Sequence, residues 1–392
     1  MTFKKMIVTG IVVEYNPFHN GHVYHIEQAR KLTNCDLLIA IMSSTFMQRG
    51  EPAILNKFIR TKWALENNID LVIELPTYYS LQSAEYFGNG AITLLNEFNI
   101  DYLCFGSESN DLSNLRKAAL INKDSAYQLK VKELMKQGLR YANACNEALI
   151  EFNIKPITKS NDILALSYLQ AIEQNNFNIK AITIQRTNSF LDTTLSNNTI
   201  SAQALRKALK EKEDITKYTP VANDINKYHH EIVFLDDYFD LLKYKILTMS
   251  LNDLKQIHNM VEGIEYKIKK EINHVNSITE LVEVLSSKRY PKTRIQRLLI
   301  YILTNITKDE INNIEIDYLR ILGMNEKAQK YLRRIKNNTN YHIVTSFSEY
   351  QSKGLDLELK ISQIYSLAKK DINYLSDKEY KQPVIIYKKN RL

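Results

Sequence analysis

Along the first two hundred positions the apolar residues come in short, nearly unbroken runs, and the stretches between them are amphipathic. The runs are Ile7 to Val13, Asp36 to Met42, Asp70 to Leu75, Tyr102 to Phe105 and Ala181 to Gln185. Short runs of this kind, bounded by turn residues, read as strands buried on both faces. Pro76 stops the third and Gly106 the fourth. Val23 to Leu32, Asn56 to Asn67 and Ser83 to Phe98 carry helical spacing, and Ser160-Asn161-Asp162 reads as the cap of a helix from Ile163 to Glu173. Strands alternating with helices of this length predict an α/β fold, a Rossmann-like parallel sheet with crossover helices. The loops at the carboxyl ends of its strands then share one face. They are His19-Asn20-Gly21-His22, Ser43 to Ile54, the turn after Glu74, and Gly106-Ser107-Glu108.

Beyond about residue 215 glycine becomes scarce and long helical patterns take over. They run from Tyr238 to Leu251, Asn252 to Tyr266, Ile278 to Leu285, Lys292 to Thr304, Asn325 to Lys336 and Ser348 to Tyr365. Pro383 to Tyr387 reads as a last edge strand. The expectation is an α/β domain over residues 1–215 and a separate, mostly helical domain over 216–392.

Composition narrows the class. Hydrophobic residues make up 44% and charged residues 24%, as in globular proteins. No apolar run reaches the roughly 20 residues of a membrane helix, and the N-terminal stretch lacks the pattern of a signal peptide. Cys35, Cys104 and Cys145 are odd in number and far apart, forming neither a disulfide framework nor a paired metal motif, so a reducing, cytoplasmic setting is expected. The net charge is +8; residues 1–200 hold 19 Lys/Arg against 19 Asp/Glu, so the whole excess lies in the second half. Two clusters stand out there: Lys288, Arg289, Lys292, Arg294 and Arg297 around Tyr290, and Lys327 to Lys336 with Arg333 and Arg334. Cations interleaved with tyrosine suit a phosphate backbone and a stacked base. The same clusters also read as solvated helix faces in a lysine-rich composition.

The stretch richest in chemistry is Glu14-Tyr15-Asn16-Pro17-Phe18-His19-Asn20-Gly21-His22, on a predicted strand-to-helix turn. A helix N-terminus carries free N–H groups and partial positive charge, so an anion fits there, and two imidazoles add donors. A nucleotide's phosphates are the expected ligand; the plain alternative is a structural turn. A second seat is expected where Thr199 or Ser201 caps a helix carrying Arg206 one turn in, with Arg186 at the end of a strand on the same face. Arg49 lies in the long polar loop, a candidate lid. Lys57 and Arg60 are expected on a solvated helix face, and Glu74 in a buried pair.

His19-Asn20-Gly21-His22 matches the HxGH motif of the nucleotidylyltransferase superfamily, and Ile200-Ser201-Ala202-Gln203-Ala204-Leu205-Arg206 resembles its ISSTxxR motif, with Ala202 and Gln203 departing from it. Val12 to His22, Phe46 to Ile54, Asp70 to Pro76 and Phe105 to Glu108 resemble the tRNA(Met) cytidine acetate ligase family. The resemblance implies an enzyme that uses ATP, with Mg²⁺ expected alongside it, to activate acetate as acetyl-adenylate. The acetyl group then goes to N4 of the wobble cytidine in elongator tRNA(Met), giving N4-acetylcytidine. It implies catalytic roles for His19, His22 and Arg206. It implies ATP binding by Val12, Val13, Glu14, Tyr15, Asn16, Pro17, Phe18, His19, Asn20, Gly21, His22, Val23, Tyr24 and His25, and by Gly106, Asn161, Arg186, Ser201 and Arg206. Asn161 opens Asn161-Asp162-Ile163-Leu164-Ala165, where the family pattern is Asn-Asn-Ile-Leu-Gly. The residues before Met6 are expected to be an inert extension. The rival readings are a small-molecule nucleotidylyltransferase and a non-catalytic RNA-binding protein; no protein partner is implied.

Overall fold

Leu37–Ser43 is buried at every position and forms the central strand, β2. A strand with no polar face is satisfied inside a parallel sheet covered by helices on both sides. In the computed structural model, which describes residues 6–186, 201–369 and 374–388, β1 (Val8–Val13) and β3 (Leu71–Leu75) flank β2 in parallel. Beyond β1 come β4 (Tyr102–Ser107) and then β5 (Lys180–Gln185), also parallel. The loop from Asn188 to Asn198, Thr199, Ile200 and the stretch before Met6 lie outside the described residues.

The chain thus runs outward from β1 to β3, then returns to the other side of β1 for β4. β1 and β4 form the switch point, where crossovers depart in opposite directions and a crevice opens at the carboxyl ends of the strands. Helix α1 (Asn20–Thr33) follows β1, α2 (Lys57–Glu66) follows β2, and α3 (Ser160–Gln174) precedes β5. α3 begins at Ser160, earlier than expected, and no side chain caps it from Lys159. Asp162 sits inside its first turn, with its carboxylate turned back to the loop after β4. Helix α4 (Ala202–Lys210) follows, and far along the chain α5 (Lys292–Thr304) occupies the predicted span. The pattern from Asn252 to Tyr266 divides into Leu251–Gln256 and Ile264–Glu271, with Gly263 in a left-handed conformation between them.

The second half does not stand apart from the sheet. β6 (Tyr318–Asn325) pairs antiparallel with β3, and β7 (His342–Val344) and β8 (Ile385–Tyr387) pair parallel with β6. Residue 215 is therefore no boundary of the sheet.

Buried charges fasten this join. Lys57 and Arg60, expected in solvent, are 1% and 0% exposed. Lys57 Nζ pairs with Glu74 and lies 2.7 Å from Glu379 Oε1. Arg320, on β6, reaches Glu74 Oε2 at 3.1 Å and Glu379 Oε2 at 2.5 Å. Glu358, on the helix Lys353–Ser366, receives the Thr77 N–H, and the Thr77 hydroxyl donates to it at 3.1 Å. Ser44 Oγ lies 2.5 Å from Glu74 Oε1 and 2.7 Å from Glu358 Oε2. One hydroxyl carries one proton, so one of these two contacts needs a proton from a carboxyl. Burial, and then Glu74 beside it, push the Glu358 carboxyl up, which makes Glu358 the neutral acid.

Candidate active site

The turn after β1 is built around its two histidines. His19 is the N-cap of α1, in extended backbone, and its Nδ1 accepts the Gly21 N–H at 3.1 Å. His22 Nδ1 accepts the His19 N–H at 3.1 Å, and the two rings stack with centroids 3.7 Å apart. An accepting Nδ1 is unprotonated, so each neutral ring carries its hydrogen on Nε2. Desolvation, then the charges of Arg186 and Arg206, hold His19 down at about 3. Desolvation and the neighbouring His19 hold His22 well below the usual imidazole range. The pair therefore supplies two neutral Nε2–H donors rather than two cations. His25 differs: its Nε2 lies 3.1 Å from the Cys104 carbonyl, which spends that hydrogen on β4. A Cβ on Gly21 would lie 2.9 Å from His19 Cε1, so this glycine makes room for the capping ring.

Buried polar groups brace the turn. The Arg60 guanidinium donates to the carbonyls of Leu55 at 3.1 Å, Glu14 at 2.8 Å and Ser43 at 2.9 Å, and also to that of Ser44. It ties the ends of β1 and β2 to α2. Asn16 Nδ2 donates to the Pro52 carbonyl at 3.1 Å, and its Oδ1 accepts the Ile54 N–H at 2.8 Å. Asn20 donates through its side chain to the Lys217 carbonyl at 3.0 Å, and the Thr219 hydroxyl donates to the Phe18 carbonyl at 2.7 Å.

The second seat faces the first. Ser201 caps α4 by accepting the Ala204 N–H at 3.1 Å. Arg206 donates to the Asn16 carbonyl at 2.8 Å and pairs with Glu51 at 2.5 Å. Arg186 lies across Gly106, where a Cβ would meet its Cγ and Cδ at 2.9 Å, and donates to Asn161 Oδ1 at 3.2 Å. Asn161 presents that oxygen because its Nδ2 is given to Glu108 Oε1 at 2.7 Å. Glu108 Oε2 also accepts the N–H groups of Asn161 and Asp162, at 2.9 and 3.1 Å, and so caps α3 from outside. In return Asp162 Oδ1 accepts the Ser107 hydroxyl at 2.5 Å and the Glu108 N–H at 3.0 Å. Glu108, expected only as part of a loop on the ligand face, and Arg60, expected in solvent, are thus braces of the site.

One cavity at the switch point joins these groups. His19, His22, His25, Arg186, Arg206, Asn161 and Gly106 line it, as do Val12, Val13, Glu14, Tyr15, Asn16, Gly21 and Tyr24. The loop after β2 adds Met47, Gln48, Arg49 and Glu51, and Phe87, Phe105, Leu164, Tyr168 and Ile184 form an apolar wall. Pro17, Phe18, Asn20, Val23 and Ser201 do not reach the cavity; Phe18, Asn20 and Ser201 serve the turn and the cap already described. Burial raises Glu14, whose Oε1 accepts the Gln48 N–H at 2.9 Å.

The basic cluster divides in two. Lys288, Arg289 and Lys292 are exposed, and the Arg289 and Arg294 guanidinium groups sit 5.6 and 5.4 Å from the Tyr290 ring centre. Arg297 turns inward and donates to the Gln48 carbonyl at 3.0 Å. Among the described residues, no group of three or more His, Cys, Asp or Glu side chains gathers to hold a metal ion, and no helix is long and apolar enough to cross a membrane.

A parallel sheet with paired imidazoles at its switch point and guanidinium groups opposite defines a nucleotidyl transferase. The family model described as HIGH Nucleotidyl Transferase matches residues 6–380. The tRNA(Met) cytidine acetate ligase of Anoxybacillus flavithermus is 40% identical over 378 residues, covering 92% of this chain and 94% of that protein. The ligase of the same name from Bacillus subtilis is 36% identical, covering 92% of each. The crystal structure of Thermotoga maritima TmcAL in its apo form superposes with a TM-score of 0.92 at 30% identity, covering 98% of this chain and 100% of that one. The same protein bound with alpha-thio ATP gives a TM-score of 0.89. This chain belongs to the tRNA(Met) cytidine acetate ligase family, within the HIGH nucleotidyl transferases.

Proposed function

We propose that the protein is an ATP-dependent ligase that activates acetate as acetyl-adenylate and transfers the acetyl group to N4 of the wobble cytidine of elongator tRNA(Met). The carrying observation is the shared cavity: two Nε2–H donors on one wall, Arg186 and Arg206 on the other. An acetate oxygen attacks the α-phosphorus of ATP in line, and the bond to the departing pyrophosphate breaks. His19 and His22 donate to the α-phosphate oxygens as charge builds there, while Arg206 and Arg186 neutralise the outer phosphates. Acetate is a weak nucleophile, so positioning and charge neutralisation supply the rate rather than a covalent enzyme intermediate. Mg²⁺ would accompany ATP and offset the charge of its phosphates. In the second step the cytidine amine attacks the acetyl carbon, the bond to AMP breaks, and the amine's proton passes to water. The exposed Lys288, Arg289 and Lys292 grip the RNA backbone beside a splayed anticodon base.

The test is to incubate the protein with ATP, labelled acetate and bulk tRNA. Label in tRNA, with one AMP and one pyrophosphate formed per acetyl group, is the expected result. ATP consumption only with a phosphorylated small molecule, or RNA retention without turnover, would overturn it.

A further inference from the structure

The wall loop between β2 and α2 puts Gln48, Arg49 and Glu51 into the cavity from its tip. Its stem closes on itself: Phe46 bridges Pro52, the Met47 N–H donates to the Glu51 carbonyl at 2.8 Å, and the Ala53 N–H to the Thr45 carbonyl at 2.9 Å. That fixes the loop's shape, whereas its tip is held by other elements. Toward the cavity, the Gln48 N–H reaches Glu14 at 2.9 Å and Glu51 pairs with Arg206 at 2.5 Å. On the outer side the tip rests on α5. Arg297 donates to the Gln48 carbonyl at 3.0 Å. Gly50, at φ +85, brings its backbone so close that a Cβ would lie 2.7 Å from Arg297 N and 3.0 Å from its Cα. Gln48 is thus gripped from both sides, its N–H by the cavity carboxylate and its carbonyl by the α5 guanidinium.

By composition Arg297 belongs to the basic cluster, but its surroundings separate it from the exposed members. Burial, and then Arg294 and Arg49 beside it, disfavour its charge, and among the described residues it makes no ion pair with a carboxylate. A half-buried cation in such a place must find compensation in backbone dipoles, and the Gln48 carbonyl provides it.

We propose that Arg297 is a positioning residue of the nucleotide site. It clasps the Gln48–Glu51 tip against the cavity, so that Glu14, Arg49 and Glu51 keep their places, and it does not contact RNA phosphate. The inference rests on the reading of the cavity as the ATP site. It makes the basic helix bifunctional, with its exposed start facing RNA and its next turns shoring the catalytic wall.

The experiment measures ATP binding by calorimetry and acetate-dependent ATP–pyrophosphate exchange, both without tRNA, together with the affinity for elongator tRNA(Met) across a salt series. Arg297→Ala should raise the Kd and KM for ATP roughly tenfold, with kcat less affected and tRNA affinity unchanged, because a displaced tip misplaces groups rather than removing them. Arg297→Lys should recover most of the loss. Gly50→Ala disturbs the same contact from the other side and should reproduce the ATP defect, which keeps the test available if Arg297→Ala does not fold. ATP affinity unchanged in a folded Arg297 variant, with tRNA affinity lost and the salt slope reduced by about one, would overturn the inference. A wild-type protein that does not bind ATP would overturn the reading of the cavity itself, and the inference with it.

Discussion

His19 and His22 hold each other in place, so the rings proposed to meet the phosphates are also the ones that cap the helix. Replacing His22 with Ala removes an Nε2–H donor and the acceptor that fixes the His19 N–H. The expected loss in acetate-dependent AMP formation is on the order of a hundredfold, as for other donors to a developing oxyanion. The stability cost is about 1 kcal/mol, as for a lost cap. Wild-type turnover in this variant would remove the rings from the mechanism. Their neutrality is separately testable. Desolvation lowers His19 to about 3 and His25 to about 4 in the folded protein. The unfolded chain therefore takes up these protons first, and the folded state loses stability as pH falls below the ordinary imidazole range. The ring C2–H resonances should stay at their neutral positions from pH 8 to about 5; midpoints near the usual ~6.5 would contradict this. At this scale the sequence told most about the turn itself, because HxGH is a local pattern whose capping geometry follows from its spacing. It was misleading at Lys57 and Arg60: charges on a helix usually face water, and nothing near them in the chain names the carboxylate and carbonyls that bury them here.

The reciprocal clasp between the loop after β4 and the start of α3 makes the placing of Arg186 depend on Glu108, acting through Asn161. Glu108 orients the Asn161 amide, and Asn161 receives Arg186. Glu108→Gln would set an amide NH₂ against the donors now facing a carboxylate. KM for ATP should rise by roughly tenfold, and an unchanged KM would show that Arg186 is held by other means. The Asp162 departure from the family pattern makes sense at this scale, since a carboxylate there collects the Ser107 hydroxyl and the Glu108 N–H. The inner parallel strands were legible because burial on both faces leaves an apolar run, as in Leu37–Ser43, whereas β5, at the sheet's edge, is half-exposed. β6 was not, because Arg320 interrupts Tyr318–Asn325 and a buried arginine looks like loop or surface until Glu74 and Glu379 are seen beside it.

Across the whole molecule, the charge cluster of Lys57, Glu74, Arg320, Glu358 and Glu379 joins the two halves of the chain. Lys57→Met leaves Glu74 and Glu379 to share one cation, Arg320, in the interior and should cost about 3–5 kcal/mol in denaturant unfolding. Glu358→Gln keeps a donor for Ser44 and should cost within about 1 kcal/mol. Burial raises Glu358, so its contribution is complete below the unfolded carboxyl range and is lost as pH rises through the raised value. Wild type should therefore lose stability more steeply than Glu358→Gln as pH rises from 4.5 to about 7, and parallel pH profiles across that range would argue against the neutral acid. The same interleaving governs how the protein is made. Arg320 is translated 246 residues after Glu74, so at ordinary rates of about 5–20 residues per second the rim of β3 waits roughly ten to fifty seconds for its neighbour. An unpaired strand rim is a template for wrong association. A fragment ending at residue 215 should accordingly emerge insoluble when expressed alone, and co-expression with the complementary fragment should rescue it by supplying the missing strand in trans.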